Sequence, residues 1–157
     1  MNFNDVIKKV GQGVTEWETL LSGLDQELIK IRRNKQNRTI KQIVGHMIDS
    51  ASNNTHRIIH LQYQSSPFSF PCYASNGNND RWISIQNYQD EDWETLVQLW
   101  KYAHLHYTHV VAQIDQSKLA NQWDSGSGLV SLKDMVNDFP RHFQLHLSEI
   151  QELIDQN

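Results

Sequence analysis

An all-α four-helix bundle is the fold this sequence predicts, and three observations predict it. Apolar residues recur at steps of three and four along four long stretches, whereas little of the chain alternates with the two-residue period of a half-buried strand. Only three prolines interrupt the 157 residues. That length fits one domain over the whole chain, 1–157, large enough to bury a continuous core without disulfide staples.

The first helix is expected from about Asn4 to Ser22, with Val6, Ile7, Val10, Val14, Trp17, Leu20 and Leu21 inward. Gly11 and Gly13 weaken its early turns, and a polar link follows to about Arg38. The second helix begins at Thr39, where Thr39-Ile40-Lys41-Gln42 has the form of a capping box. It runs to about Gln64 with Ile40, Ile43, Val44, Met47, Ala51 and Ile58 on its buried stripe. Ser65-Ser66-Pro67 ends it, and an aperiodic connection follows through Asn79, a length that in compact domains often covers a site.

A third helix is placed from Asp90 to about Ile114. Asp90, Glu91 and Asp92 suit the positive end of its dipole, and Trp93, Val97, Trp100, Tyr107, Val111 and Ile114 form its stripe. Ser125-Gly126-Ser127-Gly128 reads as a loop. Ser131-Leu132-Lys133-Asp134 opens the last helix, which reaches toward Asp155. Four long amphipathic helices of this kind associate as a bundle.

Composition narrows the function. A hydrophobic share of 38% and a charged share of 20% exclude a disordered chain, and no apolar run approaches the twenty residues of a membrane span. The amino terminus, MNFNDVIKKVGQG, lacks a secretory pattern, and lone Cys72 has no intramolecular disulfide partner, so a cytoplasmic location is expected. A formal charge of −4, without a basic stripe, argues against a nucleic-acid partner. The sequence offers no glycine-rich phosphate loop and no Ser-His-Asp pattern.

Eight histidines in so short a chain direct attention to metal chemistry. On the last helix, Met135, Phe139, His142 and His146 follow at steps of three and four, so both imidazoles continue the core-facing stripe and can aim at one point. His46 flanks the second helix's stripe beside Ile43 and Ser50, able to face the last helix across a seam. Three neutral imidazoles bind zinc, nickel or iron(II) with coordination positions left open; by spacing alone they serve equally as hydrogen-bonded core histidines. His56 and His60 repeat the four-residue spacing, but His56 falls opposite Met47, and the pair is expected to be solvated. His104, His106 and His109 are expected on a surface face.

The segment TIKQIVGHMIDSASNNTHR resembles the second helix of the DinB-like, or YfiT-like, metal-dependent proteins. DFPRHFQLHLSEI resembles that family's closing HxxxH helix, and DRWISIQNYQDEDWETLVQLWKYAHLH its aromatic-rich middle, so the likeness runs from Thr39 to the end. It implies a four-helix bundle with one divalent ion held by His46, His142 and His146. It also implies small-molecule substrates and frequent homodimers, among relatives that include thiol-dependent transferases, a thiol-dependent isomerase and hydrolases. Pro140, two residues before His142, departs from that pattern: it should kink the last helix or begin a separate one.

A metal at such a site activates water or a thiol cosubstrate, giving a hydrolase or a thiol S-transferase. The competing readings are a non-catalytic metal-binding or stress-response bundle and an interaction protein without metal. Asp49 and Glu149, each three residues beyond a ligand, are candidate general bases or acceptors for a ligand's other ring nitrogen, and Asp138 is a candidate partner for His142. Asn53, Asn54 and Arg57 are candidates for contact with a polar substrate, although an ordinary solvated face is the simpler reading. Phe70, Tyr73, Trp82 and Tyr88 are candidate pocket walls or core. Cys72 is read as a small apolar loop residue rather than a nucleophile.

Overall fold

A computed structural model describes residues 2–156 of the chain. Four long helices dominate it: α1 (Asn4–Ser22), α3 (Ile40–Tyr63), α5 (Trp93–Ala112) and α6 (Leu132–Asp155). Each terminus answers to local chemistry. The Thr39 hydroxyl accepts from the Gln42 amide while the Gln42 side chain accepts from the Thr39 amide, completing the capping box at α3. The Asp92 carboxylate accepts from the Thr95 amide, so α5 begins at Trp93 rather than Asp90. Ser131 caps α6 by the same means.

The four helices are not wound in simple succession. α5 packs against α1 and α3, and α6 packs against α3 and α1, which sets α1 diagonal to α3 and α5 diagonal to α6. Long connections make this order accessible, since tight turns would force sequential helices to be neighbours. The centre is filled across one diagonal by aromatic rings: Tyr107 stacks on Phe139 at 3.9 Å, and Trp100 lies parallel to Phe143 at 6.1 Å. Phe143 in turn lies over Gly13, where a Cβ would meet the ring. The glycine that weakens α1 locally therefore admits α6.

Three features escape the helical pattern. The polar link after α1 contains a short helix, α2 (Gln26–Ile31), capped by the Asp25 carboxylate. The aperiodic connection contains α4 (Asn78–Gln86). A small sheet of order β1-β2-β3 joins β1 (Phe68–Ser69), parallel to β2 (Gln122–Asp124), and β3 (Leu129–Ser131), antiparallel to β2. Strands this short carry too few alternating residues for a period of two to emerge. The expected loop at 125–128 is the hairpin turn of that sheet, with Gly126 at φ 83° and Gly128 at φ 156°. β3 leads directly into the cap of α6.

Pro140 neither breaks the last helix nor starts another; α6 is continuous from Leu132 to Asp155. Phe139 and Phe143, on either side of it, are both buried against the other helices. That packing holds the segment helical despite the missing amide. No described helix is long and apolar enough to cross a membrane.

Candidate metal centre

α3 and α6 lie side by side, and their facing surfaces bring three imidazoles together. One nitrogen from each of His46, His142 and His146 lies within 4.8 Å of the others, and among the described residues no fourth histidine, cysteine or carboxylate joins them. The Nε2 atoms of His142 and His146 stand 3.0 Å apart. Zinc–nitrogen bonds of 2.0–2.1 Å in a tetrahedral set place ligands roughly 3.3 Å apart, so this pair already has ligand spacing. The His46 ring centroid is 4.7 Å from that of His146 and 5.6 Å from that of His142.

The outward nitrogens are held by the protein. His146 Nδ1 lies 2.7 Å from Glu149 Oε2, and His142 Nδ1 lies 3.3 Å from Ser50 Oγ. A carboxylate on Nδ1 fixes the tautomer that leaves the Nε2 lone pair facing inward. The pairing with His146 pulls the Glu149 carboxyl below its ordinary range. Asp138 does not perform this service for His142; it is bonded to Arg141 at 2.7 and 2.8 Å on the exposed side of α6.

Burial keeps two of the rings neutral. His46, only 3% exposed, has its pKa pushed down to about 2 by burial, with the proximity of His146 and the Arg38 guanidinium adding to the effect. Burial and the proximity of His146 push His142 down to about 4. A neutral imidazole is the state that donates to a metal. His46 Nδ1 is moreover buried without a hydrogen-bond partner, an omission that costs stability unless something accepts its electrons or donates to it. The donor set, its neutrality and this orphaned atom all fit a divalent cation.

Around the rings, Tyr73 lies 5.9 Å from His46 and packs edge-to-face with Trp82 at 6.1 Å. Of the other expected wall residues, Phe70 packs on His60, 5.4 Å away, while Tyr88 covers Gly45 and donates its hydroxyl to Asp49 Oδ1 at 2.6 Å. Gln86 donates to the same Asp49 oxygen at 2.8 Å, whereas Asp49 Oδ2 is buried without a partner. Burial raises the Asp49 carboxyl, against the pull of those two hydrogen bonds.

Several expectations are corrected here. Asn53, Asn54 and Arg57 are not a solvated face; all are buried. His104 is not on the surface but 1% exposed, packed on Phe143 at 5.0 Å with Nδ1 donating to the Trp100 carbonyl at 2.6 Å. His106 and His109 are exposed as expected. His56 is exposed, whereas His60 is half-buried and stacks on Phe68 at 5.2 Å. Cys72 is half-buried and unbridged. Tyr73, one of the expected wall residues, does lie against His46; Ser50 was named only as a neighbour of His46, and the four-residue step from His46 to Ser50 was the available signal for its role beside His142.

No family model matches the sequence, and comparison with curated proteins finds no relative. Solved structures, by contrast, match closely in shape. YfiT from Bacillus subtilis, a probable metal-dependent hydrolase with an unusual four-helix bundle topology, superposes with a TM-score of 0.82 at 14% identity, over 96% of this chain and 84% of that one. The mycothiol-dependent maleylpyruvate isomerase superposes at 0.76 with 11% identity, over 96% of this chain and 61% of the isomerase. A mutant of that isomerase gives 0.76 at 10% identity. The chain thus has the DinB/YfiT-like fold and spans about three fifths of the isomerase's length.

Proposed function

We propose that this chain is a metal-dependent enzyme in which His46, His142 and His146 hold one divalent ion, zinc, nickel or iron(II), and that it acts as a hydrolase or a thiol S-transferase. The observation that carries the reading is the convergence of three imidazoles from two helices, with no fourth protein ligand among the described residues. Three ligands leave a coordination position open, the arrangement of catalytic rather than structural sites. A divalent ion there supplies Lewis acidity, which makes water or a thiol nucleophilic near neutral pH.

The chain's own residues have separable tasks in this reading. Glu149 and Ser50 orient His146 and His142 through their outward nitrogens. Asp49, which has an unpartnered oxygen and a carboxyl raised by burial, is the group we assign to proton transfer. Tyr73, packed on Trp82, supplies an apolar wall beside His46. A water nucleophile and a small thiol are both compatible with these assignments, and the two structural neighbours are a probable metal-dependent hydrolase and a thiol-dependent isomerase.

The test is elemental analysis of protein purified without a tag or added metal, beside alanine variants at His46, His142, His146 and His56. About one zinc, nickel or iron per chain, lost in the first three variants and kept in His56→Ala, supports the reading. No metal after reconstitution, or equal retention in all four variants, overturns it.

A further inference from the structure

His46, Ser50, Asn53 and Arg57 follow one another along α3 at steps of four, three and four, which places them on a single helix face. The last of them is chemically unusual. Arg57 is 4% exposed, yet its Nε and Nη2 have no hydrogen-bond partner. Its guanidinium lies 3.7 Å from the centroid of the Trp123 ring, with Tyr73 at 5.4 Å and Phe70 at 5.9 Å. An aromatic face offsets part of the cost of burying a cation but satisfies none of its in-plane N–H groups.

Nε and Nη2 form one edge of the guanidinium, two N–H groups aimed in parallel at the spacing of a carboxylate. The same edge is occupied in two other arginines of this chain. Arg38 places Nε and Nη2 at 3.2 and 2.8 Å from Asp80 Oδ1, and Arg141 places them at 2.7 and 2.8 Å from the two oxygens of Asp138. At Arg57 the edge has no partner, and the ionisable groups acting on the guanidinium are the Tyr73 phenol and the Cys72 thiol rather than a carboxylate. Leaving a buried charge unpaired is strongly unfavourable. A ligand that brings its own anion removes that penalty.

The position relative to the histidines gives the ligand its second constraint. Tyr73 lies near both, its ring 5.9 Å from the His46 ring and 5.4 Å from the Arg57 guanidinium. We propose that Arg57 is a recognition residue for a carboxylate on a small-molecule substrate, whose other end lies at the three-histidine centre beyond the Tyr73 ring. The inference rests on the metal-site reading for the second end only. The substrate class is then an ω-functionalised carboxylic acid, its reacting group separated from the carboxylate by roughly the breadth of one aromatic ring.

The experiment uses straight-chain ω-mercaptoalkanoates of three to eight carbons and their primary amides, titrated calorimetrically into the zinc-reconstituted full chain. Hexanoate and hexanamide are titrated into the metal-free chain in parallel. At one chain length the acid should bind about thirtyfold or more tightly than its amide, the scale expected when a buried charge gains its partner. Arg57→Gln should bring that ratio to near one without changing zinc content or helical circular dichroism. Arg57→Lys, which keeps the charge but loses the fork, should retain only a small part of it. Equal binding of acid and amide in both forms of the wild-type chain would overturn the proposal and leave Arg57 a structural cation. A preference for hexanoate that survives in the metal-free chain while no thiol binds the zinc form supports the carboxylate site and counts against the metal reading instead.

Discussion

Gly45 lies against the face of the Tyr88 ring so closely that a Cβ at position 45 would overlap the ring carbons. The contact matters because Tyr88 anchors Asp49 through its hydroxyl, and because Gly45 immediately precedes His46. Gly45→Ala should therefore destabilise the fold by about 1–3 kcal/mol, the cost of overpacking a filled interior. The substitution would otherwise favour a helix, so the sign separates the two effects. Urea denaturation of the metal-free protein measures it, and a stabilised variant would refute the packing argument.

Glu149 and Asp49 are predicted to differ in kind. Glu149→Gln keeps the shape but removes the carboxylate that holds His146 Nδ1, and should weaken metal binding about 10–100-fold. Asp49→Asn should leave metal affinity unchanged, since its carboxylate bonds to Gln86 and Tyr88 rather than to a ligand. Competition against a chromophoric chelator measures both. Equal losses in the two variants would erase the distinction.

Three histidines that the fold holds against protonation make the metal-free protein sensitive to mild acid. An unfolded chain protonates its histidines near pH 6.5, whereas burial holds His142 and His104 to about 4 and His46 to about 2. Between those values the unfolded state binds more protons, so stability rises with pH and is lost as pH falls. Urea midpoints should hold steady above about pH 7 and decline from about 6.5 toward 4, each histidine contributing up to about 1.4 kcal/mol per pH unit. A flat profile across that window would show that these rings are protonated in the fold.

Tyr107 is predicted to be better off without its hydroxyl. The side chain is fully buried and its ring stacks on Phe139, but the hydroxyl oxygen has no partner. Tyr107→Phe should preserve the stacking and be neutral or stabilising by about 1 kcal/mol, because an unsatisfied buried polar group is removed. Loss of stability by that amount in a thermal melt would point to a partner for the hydroxyl.

The sequence carried the four long helices because each buries one continuous stripe, and the stripe is what periodicity detects. Ile40, Ile43, Val44, Met47, Ala51 and Ile58 are all buried as their spacing requires. The convergence of His46 with His142 and His146 was accessible for the same reason, since each flanks or continues such a stripe. What periodicity cannot give is the environment of polar residues on the other faces. Arg57 and Asn53 read as solvent-facing along α3 but are buried, Arg57 against Phe70 and Tyr73 of the connection and Trp123 of β2. His104 was misjudged because its neighbours His106 and His109 are exposed, although one helical step separates the surface from the core.

The diagonal arrangement of the helices also has a consequence for how the protein assembles. Ser50 and His142, which meet beside the three-histidine cluster, are 92 positions apart, and the parallel pairing of Phe68 with Trp123 joins segments 55 positions apart. Contacts of such long range form late, after the entropy of closing large loops has been overcome. The HxxxH pair on α6 alone supplies two nitrogens and no carrier for the third. On the proposed metal-site reading, high-affinity capture should accordingly appear only with the finished topology, and the rate at which it appears during refolding would time the last docking of α6 against α3.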